Sequence, residues 1–368
     1  MFDPLDEYPI HQVPLSMRYV ATSDRNVYDR CIFQAQDHDA ETLLITGLGV
    51  YPNLGVIDAY ASVRRRDQQW VVRTSGVRGD DRMEQRVGPY RIEVLEPLSR
   101  LRVICDGDDH GLGFDLEFSS DYAPIEEPQH TRRSGDRILL DASRFAQVGT
   151  WSGELRVDGQ TVEVSPQRWT GTRDRSWGIR PVGEPPPTGR PDPFEGMWWC
   201  WVPLRFDDFA IHLIVEESPT GERTSNFAVR VWPRSAGRPP EQLGWPRVDI
   251  TYRSGTRHPE HAVITMAERD GTPVVVEVEP LMAMPLHVGC GYGPDPDWTH
   301  GLWKGEKWVE GARYDHTDPA VVGRSSFGVT DHLARASCDG QTGFGIFEHG
   351  SIGRHDPSGF ADLMSVAP

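Results

Sequence analysis

The 368-residue chain has a formal net charge of −17 and a sequence pI near 5.2, a balance that argues against nucleic acid or an anionic membrane as partner. Its length allows two domains, or one large β domain, around a sizeable core. Five scattered cysteines fit neither a disulfide framework nor a zinc pattern, and no run of about 18 apolar residues offers a bilayer span, so stable membrane insertion is not expected.

The opening residues, Met1 to Glu7, lack the basic region and apolar run of a signal peptide, so a soluble, cytoplasmic protein is expected. Glycine and proline recur along the whole chain and break any long helical pattern. Between the breaks the pattern is short and alternating. Leu101, Val103 and Cys105 share one face, Phe114, Leu116 and Phe118 alternate with Asp115 and Glu117, and both runs predict strands. A short helix is expected over Asp141–Gln147. Asp158-Gly159 lies between the alternating arms Leu155–Val157 and Gln160–Val164, a hairpin signal because both central residues of a type I′ turn take positive φ.

Near mid-chain, Gly171 to Arg180 holds Arg173, Asp174, Arg175, Ser176, Trp177 and Arg180. The three arginines are expected to keep Asp174 ionised by lowering its pKa. One reading is an Arg–Asp network pinning a strand end; the other is that Asp174 and Trp177 face a ligand cavity, with Arg175 and Arg180 beside it. Residues 181–195, with Pro185-Pro186-Pro187 at their centre, predict a connector between domains at 1–180 and 196–368.

The second half opens on Met197-Trp198-Trp199-Cys200-Trp201. On a strand, Trp199 and Trp201 share one face and Trp198 takes the other, as core filling or as an aromatic wall for a ligand. Val229 and Val231 flank Arg230, and Asp270-Gly271 joins the run at Val263 to that at Val274. Gly289 to Glu306 predicts a long shaped loop carrying Tyr292, Trp298, His300 and Trp303, where functional residues concentrate. A second short helix is expected over Val329–Ala336. Asp339-Gly340-Gln341-Thr342 repeats Asp158-Gly159-Gln160-Thr161, an internal echo that a duplicated β domain would leave. Glu348 and His349 could serve acid–base chemistry, but adjacent strand residues point to opposite faces and so do not share a site. No compact ligand cluster implies a metal, and no motif implies a cofactor.

With these residues in view, the chain resembles the tandem lipocalin-like (calycin) superfamily related to carotenoid hydratase (hydroxyneurosporene synthase). Asp174-Arg175-Ser176-Trp177-Gly178 is similar to the Asp-x-x-Trp-Gly segment that closes the first barrel there. Asp29 to Phe33 and Pro52 to Gly55 are similar to its opening strands. The Gly291-Tyr292-Gly293 loop and the Glu348-His349-Gly350 ending look like those of an uncharacterised bacterial branch. The resemblance implies two antiparallel β-barrels in tandem with few short helices and an elongated hydrophobic cavity near the central motif. In the hydratases a histidine follows the Asp; here that position is Arg175, which cannot shuttle a proton.

Two functions follow from the resemblance. The first is a cofactor-independent hydratase, dehydratase, isomerase or cyclase acting on an isoprenoid, steroid or polyketide. Its catalytic residues would be Asp174, Trp177 and Glu348, and its substrate-binding residues Arg175, Arg180, Trp199, Trp201, Tyr292, Trp303 and His349. The second is a non-catalytic carrier of the same kind of hydrophobic small molecule. An acid with a raised pKa lining the cavity would mark the enzyme; greasy walls would mark the carrier.

Overall fold

A computed structural model describes residues 3–182, 194–293, 295–326 and 328–368. Most of the expected connector, residues 183–193, lies outside the described residues. The chain is all-β: two curled antiparallel half-barrels, with one α-helix, Pro319–Ser325, and a few 3-10 turns among the described residues.

In each half the last long strand returns to pair with the first. In the first half Trp169–Ile179 lies between Val27–Asp37 and Arg137–Val157; in the second Gln341–Gly353 lies between Gly196–Arg205 and Thr330–Cys338. Outward from these closing strands, the first half continues through Thr42–Tyr51, Val56–Arg65 and Gln68–Val77 on one side. Leu112–Ser119, Arg100–Cys105 and Tyr90–Glu96 continue it on the other. The second half follows the same plan through Ala210–Glu217 and Arg223–Val231, and through Pro273–Pro285, Pro259–Ala267 and Arg247–Tyr252. The Asp-Gly-Gln-Thr echo sits at equivalent hairpins. Asp158 and Gly159 have φ of 51° and 76°, Asp339 and Gly340 50° and 76°, the positive values a two-residue turn requires.

One strand breaks the symmetry. Lys307–Asp315 belongs to the second half in sequence but pairs along its whole length with Gln68–Val77 of the first.

Both segments expected to be helical are strands. Asp141–Gln147 lies within Arg137–Val157, and Val329–Ala336 largely coincides with Thr330–Cys338. Thr330 to Ala334 are buried on both faces, so the two-residue period that marks a half-exposed strand is absent.

Period-2 alternation explains the three largest cores. On Val27–Asp37, Cys31, Phe33 and Ala35 point into the first half-barrel, whereas Ile32 points outward. Inside, Trp151 packs edge-on against Phe33 and Phe118 at ring distances of 5.7 and 5.2 Å, and its indole N–H donates to the Gln34 carbonyl. Gly171 permits that approach, since a β-carbon there would collide with the Trp151 indole nitrogen. The second half-barrel is filled likewise by Trp198, Phe206, Ile264 and Phe347. A third cluster joins Ile32, Leu43, Ile45 and Ala146 of the first half to Trp199, Trp201, Ile214 and Leu333 of the second. The two halves are therefore packed back to back.

Candidate functional site

The cavity lies between the two halves, not inside either. It measures about 400 Å³, and both closing strands contribute to its wall. Even-numbered residues of Trp169–Ile179 face the second half, which brings Asp174 and Ser176 to the cavity. Register then places Ile32 and Ala146 beside Asp174. From the other side, Glu348 stands at the corresponding place on Gln341–Gly353, opposite Trp201 and Asp331. Each acid thus stands on the closing strand of its half.

Asp174 departs from the sequence-based expectation. Its carboxyl is raised to about 7, not lowered, because burial and the nearby Glu127 and Glu348 outweigh Arg144 and Arg30. The neighbours in sequence do not act on it as expected because they point the other way. Arg173 donates to Gln147 at 2.9 Å and lies over Phe145 inside the first half-barrel, and Arg175 pairs with Asp29 at 2.9 Å. Asp174 Oδ1 has no hydrogen-bond partner among the described residues.

Glu348 accepts from the Trp199 indole N–H. Its pKa is raised by burial, against the lowering effect of Trp199, Asp331 and Arg144. Asp331, 0 % exposed, is raised further by burial and by Glu348 itself, which favours the protonated form able to donate to Glu348. Gln34 donates to Asp331 at 3.2 Å and accepts from Thr172, two residues before Asp174. A polar chain therefore runs Thr172–Gln34–Asp331–Glu348 from one closing strand to the other.

Charge on the remaining walls is mostly positive. Arg144 stands 5.5 Å from the Trp199 ring centre and 3.0 Å from Glu127. Glu127 also accepts from Trp201 at 2.8 Å and from His212 at 2.9 Å, which fastens the halves behind the cavity. Arg30 and Arg180 flank Tyr28 and Tyr292. Met197, Leu286, Val329 and Ile352 supply an apolar side, and His130, Arg132, Glu216 and His287 complete the polar one.

Of the residues singled out from sequence, Asp174, Glu348, Arg180, Trp199 and Tyr292 meet at this cavity. Trp201 lies behind it in the inter-half cluster. His349 turns into the second half-barrel, donating from Nδ1 to the Trp199 carbonyl at 2.8 Å and accepting at Nε2 from Tyr252 at 3.1 Å; burial pushes its pKa down to about 3. Arg175 and Trp177 face away from Asp174, and Trp177, 44 % exposed, packs on Phe145. Trp303 is 50 % exposed and does not line the cavity. Asp331, Arg30, Arg144 and Tyr28 escaped sequence reasoning as site residues. Arg30 had a signal, since Tyr28, Arg30 and Ile32 alternate, but only the register with Asp174 gives that alternation meaning. No group of three or more metal-ligating side chains occurs among the described residues.

Among the solved structures that share this fold are two at 12% sequence identity. Kievitone hydratase from Nectria haematococca gives a TM-score of 0.52, covering 90% of this chain and 92% of its own. A protein provisionally assigned as AttH from Nitrosomonas europaea gives 0.52, covering 93% and 98%. Agreement at this identity is agreement of fold alone. No curated protein matches the chain significantly in sequence. Residues 2–361 do match a family as a whole, and the chain belongs to it: the family of unknown function DUF8625.

Proposed function

We propose that the protein is a cofactor-independent acid–base enzyme that adds water to, or removes it from, a carbon–carbon double bond of a hydrophobic small molecule. The observation that carries this reading is the pair of carboxyl groups, Asp174 and Glu348, on opposite walls of one cavity, each raised toward the pH at which it can exchange a proton. Kievitone hydratase, which shares this fold, is named a hydratase, which is consistent with it.

In the hydration direction, Asp174 transfers its proton to one alkene carbon as the π pair forms the new C–H bond. The positive charge left on the other carbon is met by the Glu348 carboxylate across the cavity. Water attacks that carbon, and Glu348 takes the proton that the water loses. The net change is addition of one water, and the proton on Glu348 returns to Asp174 through cavity water. Dehydration is the same sequence reversed. A carrier needs neither acid, and so many charged groups facing the cavity favour catalysis over transport.

The test is incubation of the protein in D₂O with the hydrophobic small-molecule extract of its host, followed by mass spectrometry. Compounds that gain or lose one water, or take up deuterium at carbon, should appear with wild type and vanish with Asp174→Asn. A ligand that binds unchanged, or equal turnover by the variant, would overturn the reading in favour of a carrier.

A further inference from the structure

Arg30 is the least explained charge in the molecule. It is 3 % exposed, it comes from the middle of a strand, and its Nε and Nη2 have no hydrogen-bond acceptor among the described residues. A buried guanidinium ordinarily meets a carboxylate fork to fork. Here it lies 5.5 and 5.1 Å from the ring centres of Tyr28 and Tyr292, and Arg180 takes the same two rings at 5.6 and 5.9 Å. Two like charges share one aromatic cradle. The charge on Arg30 disfavours that on Arg180, an arrangement that an anion between them would relieve.

The acids nearest to hand do not supply that anion in full. Asp174 and Asp58 both feel Arg30, yet burial raises each to about 7, and Asp58 accepts from the Gly301 N–H at 2.6 Å. Arg30, Arg180 and Tyr292 also line a second cavity of about 460 Å³, which continues past Tyr292 toward His300. The pair therefore stands where two chambers meet, with donors available to a molecule that enters either one.

We propose that Arg30 and Arg180 form a clamp for the acidic oxygen of the substrate, a carboxylate or an enolate, so that the substrate is an amphipathic organic acid and not a neutral hydrocarbon. This rests on the reading of the inter-half cavity as the substrate site. It also gives the reaction an orientation, because the clamped oxygen fixes which part of the apolar body lies between Asp174 and Glu348.

The test compares two fluorescent probes that share an N-phenylnaphthylamine body: 8-anilinonaphthalene-1-sulfonate, which carries an anion, and N-phenyl-1-naphthylamine, which does not. Wild type should prefer the anionic probe. Arg30→Gln and Arg180→Gln should each weaken it at least ~10-fold, equivalent to about 1.4 kcal/mol, while the neutral probe changes less than ~2-fold. Arg180, closer to solvent, keeps the test open should the Arg30 variant fail to fold by circular dichroism. Equal binding of the two probes, or anionic binding indifferent to both substitutions, overturns the clamp. An arginine-dependent preference without any deuterium uptake would leave the clamp and remove the hydratase; turnover without the preference would do the reverse.

Discussion

Asp331 lies directly opposite Glu348 on the neighbouring strand, and burial together with Glu348 raises its pKa well above the ordinary carboxyl range. Protonated, Asp331 can donate to Glu348 and so let Glu348 carry charge in a buried place, where an unassisted carboxylate would keep its proton. Asp331→Asn retains a donor, so turnover should stay within ~10-fold of wild type. Asp331→Leu removes the donor at similar volume and should lower kcat by about 10- to 100-fold, the cost of one hydrogen bond to a charged group. Steady-state kinetics on the two variants separates a supporting hydrogen bond from a merely packed side chain.

The raised pKa of Asp174 predicts both an activity limit and a stability effect. Activity that needs its proton should fall about tenfold per pH unit above about 7. A carboxyl near 3.9 when unfolded and about 7 when folded binds its proton in the native state first, so stability declines as pH rises between those values. Asp174→Asn removes that decline. It should be more stable than wild type at pH 8 by about 2 kcal/mol, half of the ~4 kcal/mol that the full shift represents, because water reaches the cavity. Urea melts at pH 5 and pH 8 would show the gap between the two proteins widening from under about 1 to about 2 kcal/mol.

Trp177 and Arg175 sit on the opposite face of the strand from Asp174. Trp177→Ala and Arg175→Gln should therefore leave kcat/KM within ~2-fold. Their stability costs should be small, about 1 kcal/mol for the half-exposed indole and less for the Arg175–Asp29 pair. A loss of activity beyond tenfold without loss of thermal stability would mean that this face takes part in the chemistry.

Glu127 has the opposite character to Asp174. Burial raises its pKa, but Arg144, His212 and Trp201 more than compensate and bring it down to about 2. Its stabilising effect is thus present above about pH 4.5 and lost as pH falls toward 2. Glu127→Gln leaves Arg144 buried beside a neutral partner and should cost ~3 kcal/mol at pH 7, with the difference from wild type closing under acid. Chemical denaturation across that range measures it.

Much of the fold was legible because many strands alternate and their turns carry Asp-Gly. Phe114, Leu116 and Phe118 sit on one face as their spacing requires, and the hairpins at Asp158 and Asp339 have the expected backbone. Legibility failed where both faces of a strand are covered. Arg137–Val157 and Thr330–Cys338 carry one set of side chains into a half-barrel and the other into the seam, so their sequences lose the two-residue period. The site suffered for the same reason. Asp174 and Glu348 stood out by composition, but their true neighbours, Arg30, Arg144 and Asp331, come from strands brought alongside by register. Trp177 was conspicuous because it is large and charged residues surround it, and neither property says which way a side chain points.

Strand Lys307–Asp315 gives the molecule a property that a simple pair of repeats would lack. Had each half kept all its own strands, the gene could be cut at the proline-rich stretch and either part exchanged for a relative's. Here residues 1–182 expressed alone would leave the Gln68–Val77 edge bare, an open template for any other chain. The later half would carry a ribbon with nothing to lie against. A recombination event that replaced one half would have to bring a matching seam strand with it. The two halves are not separable units of inheritance.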